Sequence, residues 1–87
     1  MKYNVQLKRS VIKTLKSLPQ KEVKKIAKKI DSLEQNPVPK DSKKLKGEKD
    51  LYRVRVGDYR ILYFFQNLHL TVLVIRVGHR KDIYKDL

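Results

Sequence analysis

The hydrophobic period of this chain changes once, near residue 51, and that change sets the fold class. Before it, Val11, Ile12, Leu15 and Leu18 recur at helical spacing, and Val23, Ile26, Ala27, Ile30 and Leu33 form a second stripe of the same kind. Lys21, Lys24, Lys25, Lys28 and Lys29 fill the remaining side of the second stripe, which predicts a helix with one apolar and one basic face. Pro19 stands between the stripes, where a missing N–H suits the first turn of a new helix. After the change, residues 51–56, 59–66 and 69–77 are rich in Val, Ile, Leu, Tyr and Phe and are separated by short turns, which predicts strands. In front of everything, Tyr3, Val5 and Leu7 alternate with polar residues, the period of one further half-buried strand.

The joints agree with this reading. Asn36-Pro37-Val38-Pro39 ends the helical hairpin, because a residue before proline is pushed out of the helical region. Residues 40–50 form a polar connector with Leu45 as its anchor. Gly57-Asp58 suits a two-residue hairpin turn with glycine first, Asn67-Leu68 is the next turn, and Gly78 is expected to break the last strand. The predicted architecture is a single α+β domain over 1–87 in two layers. An N-terminal strand precedes a helical hairpin, which packs on an antiparallel sheet of about four strands, and a short C-terminal tail or helix follows.

A chain of this size buries only about 60–65% of its unfolded surface, and it has no cysteine to staple the result. No apolar run reaches the length of a signal peptide or a membrane span, so a soluble, cytoplasmic protein with no membrane partner is expected. Two histidines and scattered serines make neither a zinc site nor a serine triad, and no glycine-rich phosphate loop is present. No metal or cofactor is expected.

Charge narrows the partners. Twenty-two Lys and Arg against nine Asp and Glu give a formal charge of +13, which favours a polyanion. The two basic residue types are segregated. The first half is lysine-rich with Arg9 as its one arginine, whereas Arg53, Arg55, Arg60, Arg76 and Arg80 all follow residue 50. Arginine reads phosphate better, because its planar fork donates two parallel hydrogen bonds. With Gly57-Asp58 as the turn, Val56 faces Tyr59, Arg55 faces Arg60 and Val54 faces Ile61. Arg53, Arg55 and Arg60 then share one sheet face, and Tyr52, Val54, Val56, Tyr59, Ile61 and Tyr63 share the face the helices cover. Like charges opposite each other on a sheet are destabilising by up to about 1 kcal/mol, so the cluster calls for an anion. The bland alternative is that these arginines only keep an exposed face wet and block edge pairing. Leu62, Phe64, Leu73 and Ile75 lie on the same open face and need a cover, from a partner or from the tail. Beside the sheet, Gly78-His79-Arg80-Lys81-Asp82-Ile83-Tyr84 adds a histidine, an arginine and a tyrosine, any of which can simply pack the tail or finish the strand.

Taken together, Leu45-Lys46-Gly47, then LYRVRVGDYRILYFF, then VLVIRVGHRKDIY resemble the RelE branch of the RelE/ParE toxin superfamily over nearly the whole chain. The resemblance implies a ribosome-dependent endoribonuclease that cuts mRNA in the ribosomal A site by 2′-OH attack. Its partners would be a 70S-type ribosome carrying mRNA and an acidic, RelB-like antitoxin that silences it. Carried over by position, Arg53 and Arg55 stand at the family's basic pair, Arg60 at the arginine after the hairpin turn, Arg80 at the arginine after the last strand and Tyr84 at the C-terminal tyrosine. His79 is the second candidate for proton transfer after Tyr84. Lys21, Lys24, Lys25 and Lys28 of the helices and Lys43, Lys44 and Lys46 of the connector are the expected contacts to RNA, including rRNA. The best-known family pattern has lysines at the positions of Arg53 and Arg55 and a longer gap before the tyrosine. Arginine stays protonated, so Arg55 cannot serve as a base. Two alternatives stay open: a ParE-like inhibitor of DNA gyrase on the same fold, and a nucleic-acid-binding module without catalysis.

Overall fold

The computed structural model describes residues 2–83. Its elements run β1 (Asn4–Leu7), α1 (Arg9–Ser17), α2 (Gln20–Ser32), β2 (Lys43–Lys44), β3 (Leu51–Val56), β4 (Tyr59–Gln66) and β5 (Thr71–His79). The sheet has five strands in the order β1-β5-β4-β3-β2. Two helices on one face of a sheet is the predicted two-layer arrangement, and among the described residues no helix is long and apolar enough to cross a membrane.

The sheet differs from expectation in composition and direction. It is mixed, because β1 lies parallel to β5, with Asn4 opposite Thr71 and Leu7 opposite Val74. The helical hairpin carries the chain back over the sheet, so β1 can dock beside β5 running the same way. The polar connector also contributes a fifth strand, since Lys43 and Lys44 pair with Arg53 and Tyr52 on the outer edge of β3. Leu45 packs beside Leu51, as an anchor should.

The helices follow from their stripes. Val11, Ile26, Ile30 and Leu33 are buried against Val54, Ile61, Tyr63, Val72, Val74 and Val77 of the sheet. Pro19 is the residue just before α2 rather than part of its first turn. Its carbonyl accepts from the Glu22 and Val23 N–H groups, at 3.0 and 3.1 Å. Lys29 donates to Asp41 at 2.7 Å, pinning the connector to α2, and this bond holds the Asp41 carboxyl below its usual range. Beneath it, the Tyr63 hydroxyl is fully buried and donates to the Pro37 carbonyl at 2.7 Å.

Burial pushes the Tyr63 pKa up to about 12. An unfolded tyrosine ionises near 10, so the folded chain holds this proton longer. Stability is fully present below about pH 10 and is lost as pH rises towards the folded value. Urea unfolding at increasing alkalinity should show a loss of roughly 2–3 kcal/mol across that window. Tyr63→Phe should flatten this limb while costing about 1–3 kcal/mol at neutral pH, because the Pro37 carbonyl loses its donor. An unchanged alkaline limb in Tyr63→Phe would assign the loss to other groups.

The β3–β4 register is the predicted one, with Arg55 opposite Arg60 and Val56 opposite Tyr59. Gly57 has φ +58°, the left-handed backbone that a glycine-first turn requires. The next connection is longer than a two-residue turn. Residues Asn67–His69 form a 3₁₀ turn and Leu70 takes φ +48°, which delays β5 to Thr71. Gly78 does not end β5, which continues to His79. It makes room instead, since a Cβ there would stand 3.3 Å from Ile83 Cδ1.

Candidate functional site

The sheet face turned away from the helices carries the arginines. Register places Arg55 opposite Arg60, and Arg60 opposite Gly78, in one row across three strands. The next row runs Lys43, Arg53, Leu62, Arg76 across four. Lys43 faces Arg53 and Arg55 faces Arg60, so two like-charged pairs sit on one surface. Such pairing opposes folding by tenths of a kcal/mol to about 1 kcal/mol each unless an anion intervenes.

Arg76 is not among the residues that alternation selects for this face. Counting by twos along β5 puts Leu73, Ile75 and Val77 outward and Arg76 under the helices. A β-bulge at Ile75 resets the count: Tyr63 faces Val74, whereas Leu62 faces Arg76. Val77 therefore enters the main core and Arg76 joins the arginine face. The signal is present in the sequence, because a guanidinium aimed at a helix-covered core argues for a bulge.

The hairpin turn gathers two of the predicted residues. Arg60 Nη1 donates to the Gly57 and Tyr59 carbonyls at 3.2 and 3.1 Å, so its guanidinium is hooked onto the turn. Arg80 is tied to the same turn by its backbone N–H, which donates to the Asp58 carbonyl at 2.7 Å. Its Nε lies 4.0 Å from an Asp58 carboxylate oxygen, an exposed pair that contributes little to stability and leaves the fork available. Arg53 and Arg60 are further engaged within the fold, whereas Arg55 has no partner among the described residues. Arg55 also borders a cleft of about 310 Å³ shared with Lys25 and Lys28 of α2.

His79 is placed elsewhere. It pairs with Tyr59 on the helix side, with ring centroids 5.7 Å apart, and its Nδ1 accepts the Lys81 N–H at 3.2 Å. Tyr84 lies outside the described residues. Lys21, Lys24, Lys25 and Lys28 line the exposed side of α2, and Lys43, Lys44 and Lys46 are exposed along the connector.

The open face has its own apolar centre. Leu51, Leu62 and Ile83 are buried together, flanked by Leu45, Phe64 and Ile75. Ile83 belongs to the turn after β5, where the Asp82 and Ile83 N–H groups donate to the His79 carbonyl at 2.8 and 3.0 Å. The tail thus supplies part of the cover that Leu62 and Ile75 require, and in doing so it fixes Arg80 beside the arginine rows.

A family model described as "ParE toxin of type II toxin-antitoxin system, parDE" matches residues 5–84. The fold and its match define a toxin of a type II toxin–antitoxin system. RelE1 of Methanocaldococcus jannaschii is 37% identical over 89 aligned positions, covering 99% of each chain. A chain of the archaeal RelE–RelB complex from Pyrococcus horikoshii OT3 superposes with TM-score 0.83 at 34% identity, over 94% of this chain and 99% of that one. A chain of the RelB–RelE antitoxin–toxin complex from Methanococcus jannaschii gives TM-score 0.76 at 31% identity, over 94% and 98%. The chain belongs to the RelE/ParE toxin family, as a RelE-type toxin.

Proposed function

We propose that this toxin is a ribosome-dependent endoribonuclease acting in the cytoplasm. The observation that carries the reading is the convergence of Arg60 and Arg80 on one hairpin turn, beside Arg55 and the Lys43–Arg53–Arg76 row. Fixed guanidinium groups suit a reaction whose transition state gains negative charge on phosphorus-bound oxygens. The RNA's own 2′-OH attacks the adjacent phosphorus, the P–O5′ bond breaks, and a 2′,3′-cyclic phosphate and a 5′-OH result. Arg53, Arg55 and Arg60 stabilise the phosphorane, with Arg60 preorganised by the Gly57 and Tyr59 carbonyls. Arg80 holds the leaving-group side. Tyr84, the residue after Ile83, accepts the 2′ proton as its tyrosinate, and water gives a proton to the 5′ oxygen, the hydroxide left behind taking the proton back from Tyr84. His79, turned to the helix side, has no step in this scheme.

A site of arginines without an acid–base pair of carboxylates is slow on free RNA, and the ribosome supplies the alignment. The lysines of α2 and the connector suit contacts to rRNA phosphates. The relatives are seen in complex with an antitoxin, RelB, and an acidic antitoxin bound to this chain would neutralise the same charge. The clustered arginines of the sheet face favour RNA over gyrase as target. Purified ribosomes programmed with mRNA should show cleavage, and end-group analysis should find the cyclic phosphate. Gyrase inhibition without translation arrest would instead establish the ParE-like activity, and RNA binding without cleavage would establish a non-catalytic module.

A further inference from the structure

The pairing of β1 with β5 stops at Val74, so beyond it the outer edge of β5 has no strand beside it among the described residues. A cleft of about 400 Å³ opens there, between α1 and the second half of β5. Lys8 and Ser10 stand on one side and Arg76 on the other, with Val11, Ile75 and Val77 as apolar wall. Arg76 is half-buried, yet the described residues give it no hydrogen-bond or ionic partner. A partly desolvated guanidinium without a counter-ion is a standing cost that an anion relieves. Lys8 and Ser10 are likewise without side-chain partners among the described residues. Thr14 has already committed its hydroxyl hydrogen to the Ser10 carbonyl, at 3.0 Å. Asp82 is the one acid on the lining among the described residues and is engaged within the fold.

We propose that this cleft binds a second phosphodiester of an RNA strand, held by Arg76, Lys8 and the Ser10 hydroxyl. The inference rests on the RNA reading above and extends it to a subsite. The strand would follow the row from Lys43 on β2 to Arg76 on β5, three strand spacings or roughly 14 Å, and turn over the sheet edge into the cleft. The cleft has the volume of a nucleotide rather than a bare phosphate. Its apolar wall takes sugar or base, and Asp82 faces their O–H and N–H donors, leaving the phosphate on the cationic side.

The test uses the folded chain, a single-stranded RNA octamer and inorganic phosphate. Phosphate should move the amide resonances of Ser10 and Gly78 in the unaltered protein and leave them still in Arg76→Gln. Octamer affinity at low salt should fall about tenfold in Arg76→Gln. The slope of log affinity against log salt should shrink by about 0.7 for each phosphate that is no longer neutralised. Arg76→Lys should restore part of both, and thermal unfolding verifies that each variant folds. Equal affinity and slope in Arg76→Gln, or no phosphate-dependent shift at Gly78, overturns the subsite. So does a variant that gives up only binding to an acidic peptide and keeps RNA, since the β5 edge would then belong to a protein partner. Arg76-dependent binding in a protein that cuts nothing on ribosomes leaves the subsite standing and removes the nuclease reading.

Discussion

Arg80→Ala is expected to slow cleavage of ribosome-bound mRNA by roughly 10²–10³-fold, the usual cost of removing one fixed donor to a developing oxyanion. Arg80 is well suited to such a test. Its side chain is exposed and makes one weak ion pair, to Asp58, while its position is set by the backbone bond from its N–H to the Asp58 carbonyl, which the substitution keeps. Circular dichroism and thermal unfolding should therefore be unchanged while the rate collapses. Primer extension on programmed ribosomes reads the rate directly. An Arg80→Ala protein that cuts at the original speed takes this residue out of the reaction.

Ile83→Ala should lower stability by about 2–5 kcal/mol, the cost of deleting most of a buried aliphatic side chain, and should also reduce activity. Ile83 is fully buried against Leu51 and Leu62, and it anchors the turn that bears Arg80 and precedes Tyr84. Loss of the anchor frees that turn, and a displacement of about 1 Å in a positioning element can cost 10²-fold in rate. Ile83→Val removes one methylene and should keep most of both properties. Gly78→Ala should act on the same packing, because the new methyl meets Ile83 Cδ1 at 3.3 Å and that side chain must shift by a few tenths of an ångström. Denaturant unfolding and cleavage rates measured well below the melting temperature separate the two effects. Full activity in folded Ile83→Ala would show that the tail needs no dock on the sheet.

Residues 51–66 are legible in the sequence because their chemistry is local. A glycine-first turn between two alternating runs fixes register to the residue, and with it the shared face of Arg53, Arg55 and Arg60. The apolar stripes of the helices are legible for the same reason. The neighbour of β1 is not. Alternation of Tyr3, Val5 and Leu7 says that a strand is half-buried but carries no information about which strand lies beside it. The two-residue β2 is hidden in a lysine-rich connector, since an edge strand made of charged residues reads as a loop. Arg76 escapes the pattern because one extra residue in β5 inverts every later side chain, and no turn residue marks the bulge. The tail is half legible: an uncovered Leu62 and Ile75 demand a lid, but only coordinates name Ile83.

The parallel docking of β1 against β5 has a consequence for when such a molecule becomes dangerous. A nascent chain exposes Asn4–Leu7 early, yet the surface they complete does not exist until Thr71–Val74 have been made. The valine core beneath them closes at that same late moment, together with the turn that delivers Arg80. A fragment that stops short of Thr71 therefore cannot complete this sheet, and an antitoxin already present meets the whole fold only once nearly all of residues 2–83 can pack together.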